Sequence, residues 1–271
     1  MHELSALLSN RDENVRLDIA ALQLARVEHP DLPIEAFLEL LDSHANELGE
    51  RVDGDITGDE FIDVMNDYLF EELGFHGNQQ DYYNPANSCL NEVLTQRTGI
   101  PISLSVLYME IGRRLDRPLY GIGLPGHFIV QYNDGEYSSF IDPYHGGRQL
   151  TDVECYELAK EITGLDVADD PTVLYPVTKR HIVIRMLNNL RAVYFTKQDH
   201  RKAIEVLNLL IEADPTSPDE YKQRGICRAH LKLFKAARLD LEMYLKLAPN
   251  APDRKDVEEQ VERIKKWLSA L

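Results

Sequence analysis

The four residues Asn133-Asp134-Gly135-Glu136, set between Gly126–Tyr132 and Tyr137–Asp142, constrain this chain more than any other short stretch. Both flanking runs read as strands. An Asp-Gly pair between such runs signals a hairpin, because both central residues of a tight two-residue turn need positive φ. With Asp134-Gly135 as that turn, Tyr132 faces Tyr137, Phe128 faces Ile141 and His127 faces Asp142. Residues opposite one another share a sheet face, with Cβ atoms about 5 Å apart. The expectation is an imidazole beside a carboxylate, as when a carboxylate orients a general base. The same pair could instead only satisfy two buried polar groups and stiffen the hairpin.

The sequence around this hairpin places it in an α+β domain. Ser88–Gln96 is short and amphipathic, with Thr98-Gly99 as its stop. Pro101 suits the first turn of the next helix. Ile102, Leu104, Val106, Leu107, Tyr108, Ile111 and Leu115 make that helix apolar nearly all round, which predicts burial. Leu119–Leu124 follows as a strand, Pro125-Gly126 turns the chain, and His145-Gly146-Gly147 closes the sheet edge. Thr151 to Glu154 is a capping box that starts another helix. Upstream, Asn14–Glu28, a helix capped by Asp31 near Pro33, and a helix after the Thr57–Glu60 capping box all show amphipathic periodicity. Asp53-Gly54-Asp55 imitates the start of a calcium loop. Thr57 and Val64 occupy its fifth and twelfth positions, so a solvated acidic turn is expected. The polar connector Asn78–Ala86 runs into the central stretch and brings Tyr82, Tyr83 and Asn87 near a site.

Taken together, NSCL…VL..R.GIPISLSVLY…LPGHF…FIDPY..G..L resembles the transglutaminase-like fold, a branch of the papain-like superfamily. The resemblance is nearest to a bacterial family, including Sir B-type regulators, that joins this domain to tetratricopeptide repeats. A related segment occurs in some eukaryotic F-box proteins. The resemblance implies a Cys-His-Asp triad, with His127 as the histidine and Asp142 as the aspartate. The cysteine would fall at Ile100–Ser103, where the helix dipole lowers a thiol's pKa. This chain has Gly-Ile-Pro-Ile-Ser there and no sulfur, which argues against catalysis of the ordinary kind. The alternative is an acyl transferase or hydrolase in which Ser103, or Cys89 from the preceding helix, attacks with His127 as base. Asn87, Tyr83 and His145 are the expected binding residues of the cleft. Without a fourth ligand beside His127, Asp142 and His145, no metal is expected, and no cofactor.

A second domain follows. Ala203 and Ala237 are 34 residues apart, as are Pro215 and Pro249. That period, with alanine early in one helix and proline at its end, is the tetratricopeptide signature. The sequence predicts two repeats, with Asp253–Leu271 as a capping helix striped by Val257, Val261, Ile264 and Leu268. The expected division is 1–177, with its transglutaminase-like core at 82–150, and an all-α repeat domain at 178–271.

Charge separates the same two parts. Residues 181–271 hold 17 Lys+Arg and 13 Asp+Glu, a net of +4, whereas residues 1–180 hold 12 and 33, a net of −21. An acidic domain of this kind repels nucleic acid and anionic lipid. The expected partner is a protein or peptide bound through the repeats, with no nucleic acid and no membrane. No run reaches the ~18 apolar residues of a membrane span, and the N-terminus lacks the pattern of a signal peptide. Three scattered cysteines, Cys89, Cys155 and Cys227, suit a cytoplasmic protein with reduced thiols.

Overall fold

The computed structural model describes residues 2–10, 15–52, 54 and 56–270. Asp53 and Asp55 of the acidic turn, and Asn14 and Leu271 at the ends of two expected helices, lie outside the described residues. Four helices come first: α1 (His2–Asn10), α2 (Leu17–Leu24), α3 (Ile34–Gly49) and α4 (Gly58–Asn66). α3 starts after Pro33, and no side chain caps it, so Asp31 does not play the expected part. The Thr57–Glu60 capping box does form, with reciprocal bonds at both ends. A π-helical turn, Asp67–Glu72, extends α4.

The short strand β1 (His76–Gly77) precedes α5 (Leu90–Gln96) and pairs in parallel with β2 (Thr98–Gly99). Arg97 ends α5 in the left-handed conformation, one residue before the Thr98-Gly99 stop read from the sequence. α6 (Pro101–Arg114) opens on Pro101 and is buried continuously from Pro101 to Gly112, as its all-round apolar pattern requires. It packs against α2, α3, α5 and the central sheet. Its polar end is held by the buried Asp18 carboxylate, which accepts from Arg114 at 2.7 Å and from Arg16 at 2.6 Å.

The central sheet is antiparallel in the order β3 (Leu119–Ile122), β4 (Ile129–Asn133), β5 (Ser138–Asp142) and β6 (Arg148–Leu150). The hairpin differs from its expected form. β4 and β5 pair Asn133 with Ser138 and Val130 with Ile141, two residues away from the two-residue-turn register. The Asp134 carboxylate causes the difference. It accepts the backbone N–H groups of Glu136 (2.9 Å) and Tyr137 (2.7 Å), which makes Asp134–Tyr137 a four-residue loop. A slip of two leaves every side chain on its expected face, whereas a slip of one would have reversed them all. The helix α7 (Asp152–Thr163), started by the Thr151–Glu154 capping box, packs its Cys155 onto Ile122, Ile129, Phe140 and Leu150 of the sheet.

Two compact units divide the chain: one holds most of the chain up to Met186, the other runs from Leu187, inside α8 (Lys179–Thr196), and also takes in the end of α1 from Leu8. The expected boundary at 177/178 lies just before this helix begins. The second unit contains α9 (His200–Ala213), α10 (Pro218–His230), α11 (Phe234–Leu247) and α12 (Arg254–Ser269). Ala203 and Ala237, one repeat apart, are both fully buried. Gly225 faces Leu241, where a Cβ would come within 3.0 Å. The stripe Val257, Val261 and Ile264 of α12 closes over Ala237, Leu241 and Tyr244. Among the described residues, no helix is long and apolar enough to cross a membrane.

Candidate functional site

Leu124-Pro125-Gly126 leaves the sheet in a turn that sets His127 just before β4 rather than on it. Gly126 has φ +72°, and a Cβ there would strike Ile162 and Thr163 of α7. The turn is clamped from outside. Arg185 donates to the carbonyls of Leu124 (3.0 Å) and His127 (2.6 Å), with its guanidinium over the Phe128 ring. Burial pushes the Arg185 pKa down, and the two carbonyls orient it as a fixed donor.

Asp142 is the last residue of β5 and the first of a 3-10 turn, Pro143–His145. Its Oδ1 accepts the Tyr144 N–H at 3.1 Å. Its Oδ2 takes two imidazoles, the His127 Nε2–H at 2.9 Å and the His145 Nδ1–H at 2.7 Å. The imidazoles lie 5.7 Å apart, nearly parallel. His127 is 3% exposed and Asp142 1%. Burial alone would raise the Asp142 pKa, but the bonds from His127 and His145 outweigh it and hold the carboxyl at about 2. The bond to Asp142 in turn raises His145. The loop beyond is anchored at Gly147 (φ +77°), whose carbonyl accepts from Asn66, itself held by the Tyr108 hydroxyl.

This cluster lines a cavity of about 680 Å³. Pro101, at the leading end of α6, shares that cavity with His127, as do Tyr82, Tyr144 and the α7 face carrying Glu154, Glu157, Glu161 and Ile162. The residues expected from sequence separate into two groups. His127, Asp142 and His145 come together. Tyr82 joins them, whereas Tyr83 projects outward, 58% exposed, with its ring edge-on to Tyr82. Asn87 is buried and organises the connector, donating to the carbonyls of Asp81 and Tyr82 and accepting from Asn78. Ser103 is 0% exposed and does not line the cavity. Its hydroxyl donates to the Asn87 carbonyl at 2.6 Å and accepts the Ile100 N–H at 3.1 Å. Cys89 is buried at the start of α5, also outside the cavity lining. Cys155 is buried too, its thiol pushed up to about 12 by burial.

The helix, turn and strand order around a His–Asp pair can be set beside known proteins. The family model described as the transglutaminase-like superfamily matches residues 35–188, more than half of the chain. The chain belongs to the transglutaminase-like superfamily. A tetratricopeptide-repeat model matches residues 190–262. The UPF0162 protein of Xylella fastidiosa (strain 9a5c) is 35% identical over 91% of this chain and 89% of its own length. The UPF0162 protein of Vibrio cholerae serotype O1 is 27% identical over 71% of this chain and 72% of its own. Human F-box only protein 21 is 36% identical over 48% of this chain, but only 21% of that protein. In this chain the His127 imidazole and the Asp142 carboxylate are in contact. The chain has proline where the leading end of the helix meets the cavity.

Several cavity residues escaped the sequence reading. Glu157, Glu161 and Ile162 sit on a helix that the capping box located correctly, but no local pattern says which face of α7 meets a cavity. Arg185 lies 58 residues from the carbonyl it holds. An isolated arginine in a helical run carries no signal for such a contact.

Proposed function

We propose that the chain acts in protein interaction and regulation without acyl-transfer catalysis, through the cleft at His127 and Asp142 and through its helical repeats. One observation carries this reading. No cysteine, serine or threonine is among the described residues lining the cavity with His127, so the side chains that commonly carry an acyl group are not placed for the imidazole to deprotonate. Tetratricopeptide repeats stack helices into grooves that receive peptides or partner helices, and they support the interaction role directly. The proposed partners are proteins or peptides, not nucleic acid or membrane. Three scattered, buried cysteines are consistent with a reducing cytoplasm.

The rival reading is a hydrolase or acyl transferase using Ser103 or Cys89. It requires the Ser103 hydroxyl to leave two backbone partners, or Cys89 to leave its buried place at α5. An electrophilic acyl probe on the full chain separates the two readings. The expected result is no selective labelling. Stoichiometric labelling at one Ser or Cys that disappears in His127→Ala would overturn the proposal.

A further inference from the structure

We propose that His127, Asp142 and His145 form a binding site for one divalent transition-metal ion of the zinc class. The inference rests on the reading of this cavity as a binding site and assigns its ligand, and its test uses no acyl probe and no partner protein.

The donor set comes first. Two imidazole nitrogens and one carboxylate oxygen all lie within 4.8 Å of one another. Imidazole with a single carboxylate suits zinc and its first-row neighbours, whereas calcium and magnesium require mostly oxygen ligands. Three protein ligands with one open position is the arrangement of an accessible zinc site. Donors about 2.1 Å from a tetrahedral ion stand about 3.4 Å apart. Here the two imidazole-to-carboxylate distances are 2.9 and 2.7 Å. Opening each by roughly half to three-quarters of an ångström, and drawing the two ring nitrogens together from within 4.8 Å to about 3.4 Å, turns the hydrogen-bonded cluster into a tripod. Each neutral ring then carries its proton on the other nitrogen, so no charge is stranded.

The surroundings supply what such a tripod needs. Ligating carboxylates and imidazoles are held by outer partners that fix their direction. The Tyr144 N–H holds the far oxygen of Asp142, and Arg185 fixes the backbone that carries His127 through its carbonyl. The 3-10 turn fixes His145 three residues from Asp142. His127 and Asp142 are buried, so two of the three donors are held in place before any ligand arrives. The local field also favours a cation. Glu154, Glu157 and Glu161 line the cavity with Asp142, while the lining cation Arg148 is engaged by Glu154 at 2.7 Å. The remaining coordination position faces the cavity, where water or a donor atom from a bound protein can complete it.

The test is a titration of the chelator-stripped full chain with Co²⁺ alone, followed by visible absorption, and with Zn²⁺ in competition. The expected result is one ion per chain with the intense absorption of four- or five-coordinate cobalt, displaced by Zn²⁺. His145→Ala and Asp142→Asn should each weaken binding by more than about 100-fold, beyond the effect of losing an outer-shell partner. If Asp142→Asn fails to fold, His145→Ala still decides, because that side chain is 42% exposed and its removal leaves the core intact. The proposal is overturned if no stoichiometric complex forms up to ~1 mM Co²⁺, a concentration at which even weak sites fill. It is equally overturned if His145→Ala binds the ion as tightly as the natural chain.

Discussion

Ser103→Ala distinguishes a structural hydroxyl from a reactive one, and its cost can be worked from the geometry. In a fully buried place the serine oxygen accepts from the Ile100 N–H, and its one proton goes to the nearer Asn87 carbonyl at 2.6 Å, with the Ile100 carbonyl at 3.1 Å. A typical hydrogen bond contributes about 1 kcal/mol net, and a buried partner left unsatisfied adds about 1 kcal/mol or more. Removing the hydroxyl strips both bonds and leaves an N–H and a C=O behind. The loss should be about 2–3 kcal/mol. In a unit of this size, about 2–4 °C per kcal/mol converts that to a Tm lower by roughly 5–10 °C. The choice of probe matters. Trp267 is the only tryptophan and belongs to the repeat unit, whereas ten of the thirteen tyrosines belong to the unit that holds Ser103. Near-ultraviolet tyrosine dichroism, or amide exchange at the start of α6, therefore reads the right unit. The reasoning is refuted if Ser103→Ala melts within 1 °C of the natural chain, or if it abolishes an acyl-labelling activity while leaving stability untouched.

Three further outcomes follow from other parts of the structure. Pro101→Cys places a thiol at the leading end of α6, in the cavity beside His127; its alkylation by iodoacetamide should extend at least one pH unit below that of an ordinary thiol, and an ordinary profile near pH 8.5 would count against a helix end aimed at the imidazole. Asp18→Asn should cost about 1.5–3 kcal/mol, because it weakens charge-assisted bonds from Arg16 and Arg114 while Arg114 keeps Asp42 at 2.6 Å and Glu110 at 3.2 Å, and a urea melt within about 0.5 kcal/mol of wild type would contradict this. The same aspartate has a pH signature. Burial opposes its charge, but Arg16 and Arg114 hold its pKa below the ordinary value; its stabilisation is thus complete above about pH 4 and lost as pH falls through the lower native value. Burial raises neighbouring Glu110, so that group opposes folding once pH rises above about 4.5, where the unfolded carboxyl ionises, and does not below it. Urea melts between pH 2 and 7 should show a smaller acid loss in Asp18→Asn than in the natural chain, the remainder including that of Asp142; parallel curves would remove Asp18 from this role.

The parts of the fold that were legible in the sequence were written in local chemistry. Capping boxes at Thr57 and Thr151 and the proline that opens α6 act within a turn or two of backbone, and the 34-residue spacing of Ala203 and Ala237 repeats one local pattern along the chain. The hairpin was legible in face but not in register. Asp-Gly named the turn correctly, while the Asp134 side chain lengthened it by capping two N–H groups. Because the slip was even, His127 and Asp142 still met. Long-range contacts left no such mark. The Arg185 clamp, the cavity face of α7 and the Asn66–Gly147 anchor each join residues tens of positions apart. The role of Asn87 was hidden for a related reason: a polar side chain beside a cleft can line it or hold its rim, and only the partners of its amide decide.

Asp142 closes a strand, seeds the next turn with one oxygen and gathers two imidazoles with the other. Alanine at this position would therefore confound shape with chemistry, since loss of the Tyr144 cap alone could displace His145. Asparagine keeps a carbonyl oxygen for the turn and presents an amide to the rings, so comparing the two substitutions separates scaffold damage from lost recognition. Any phenotype first mapped to this codon needs that comparison before it is assigned to the cleft.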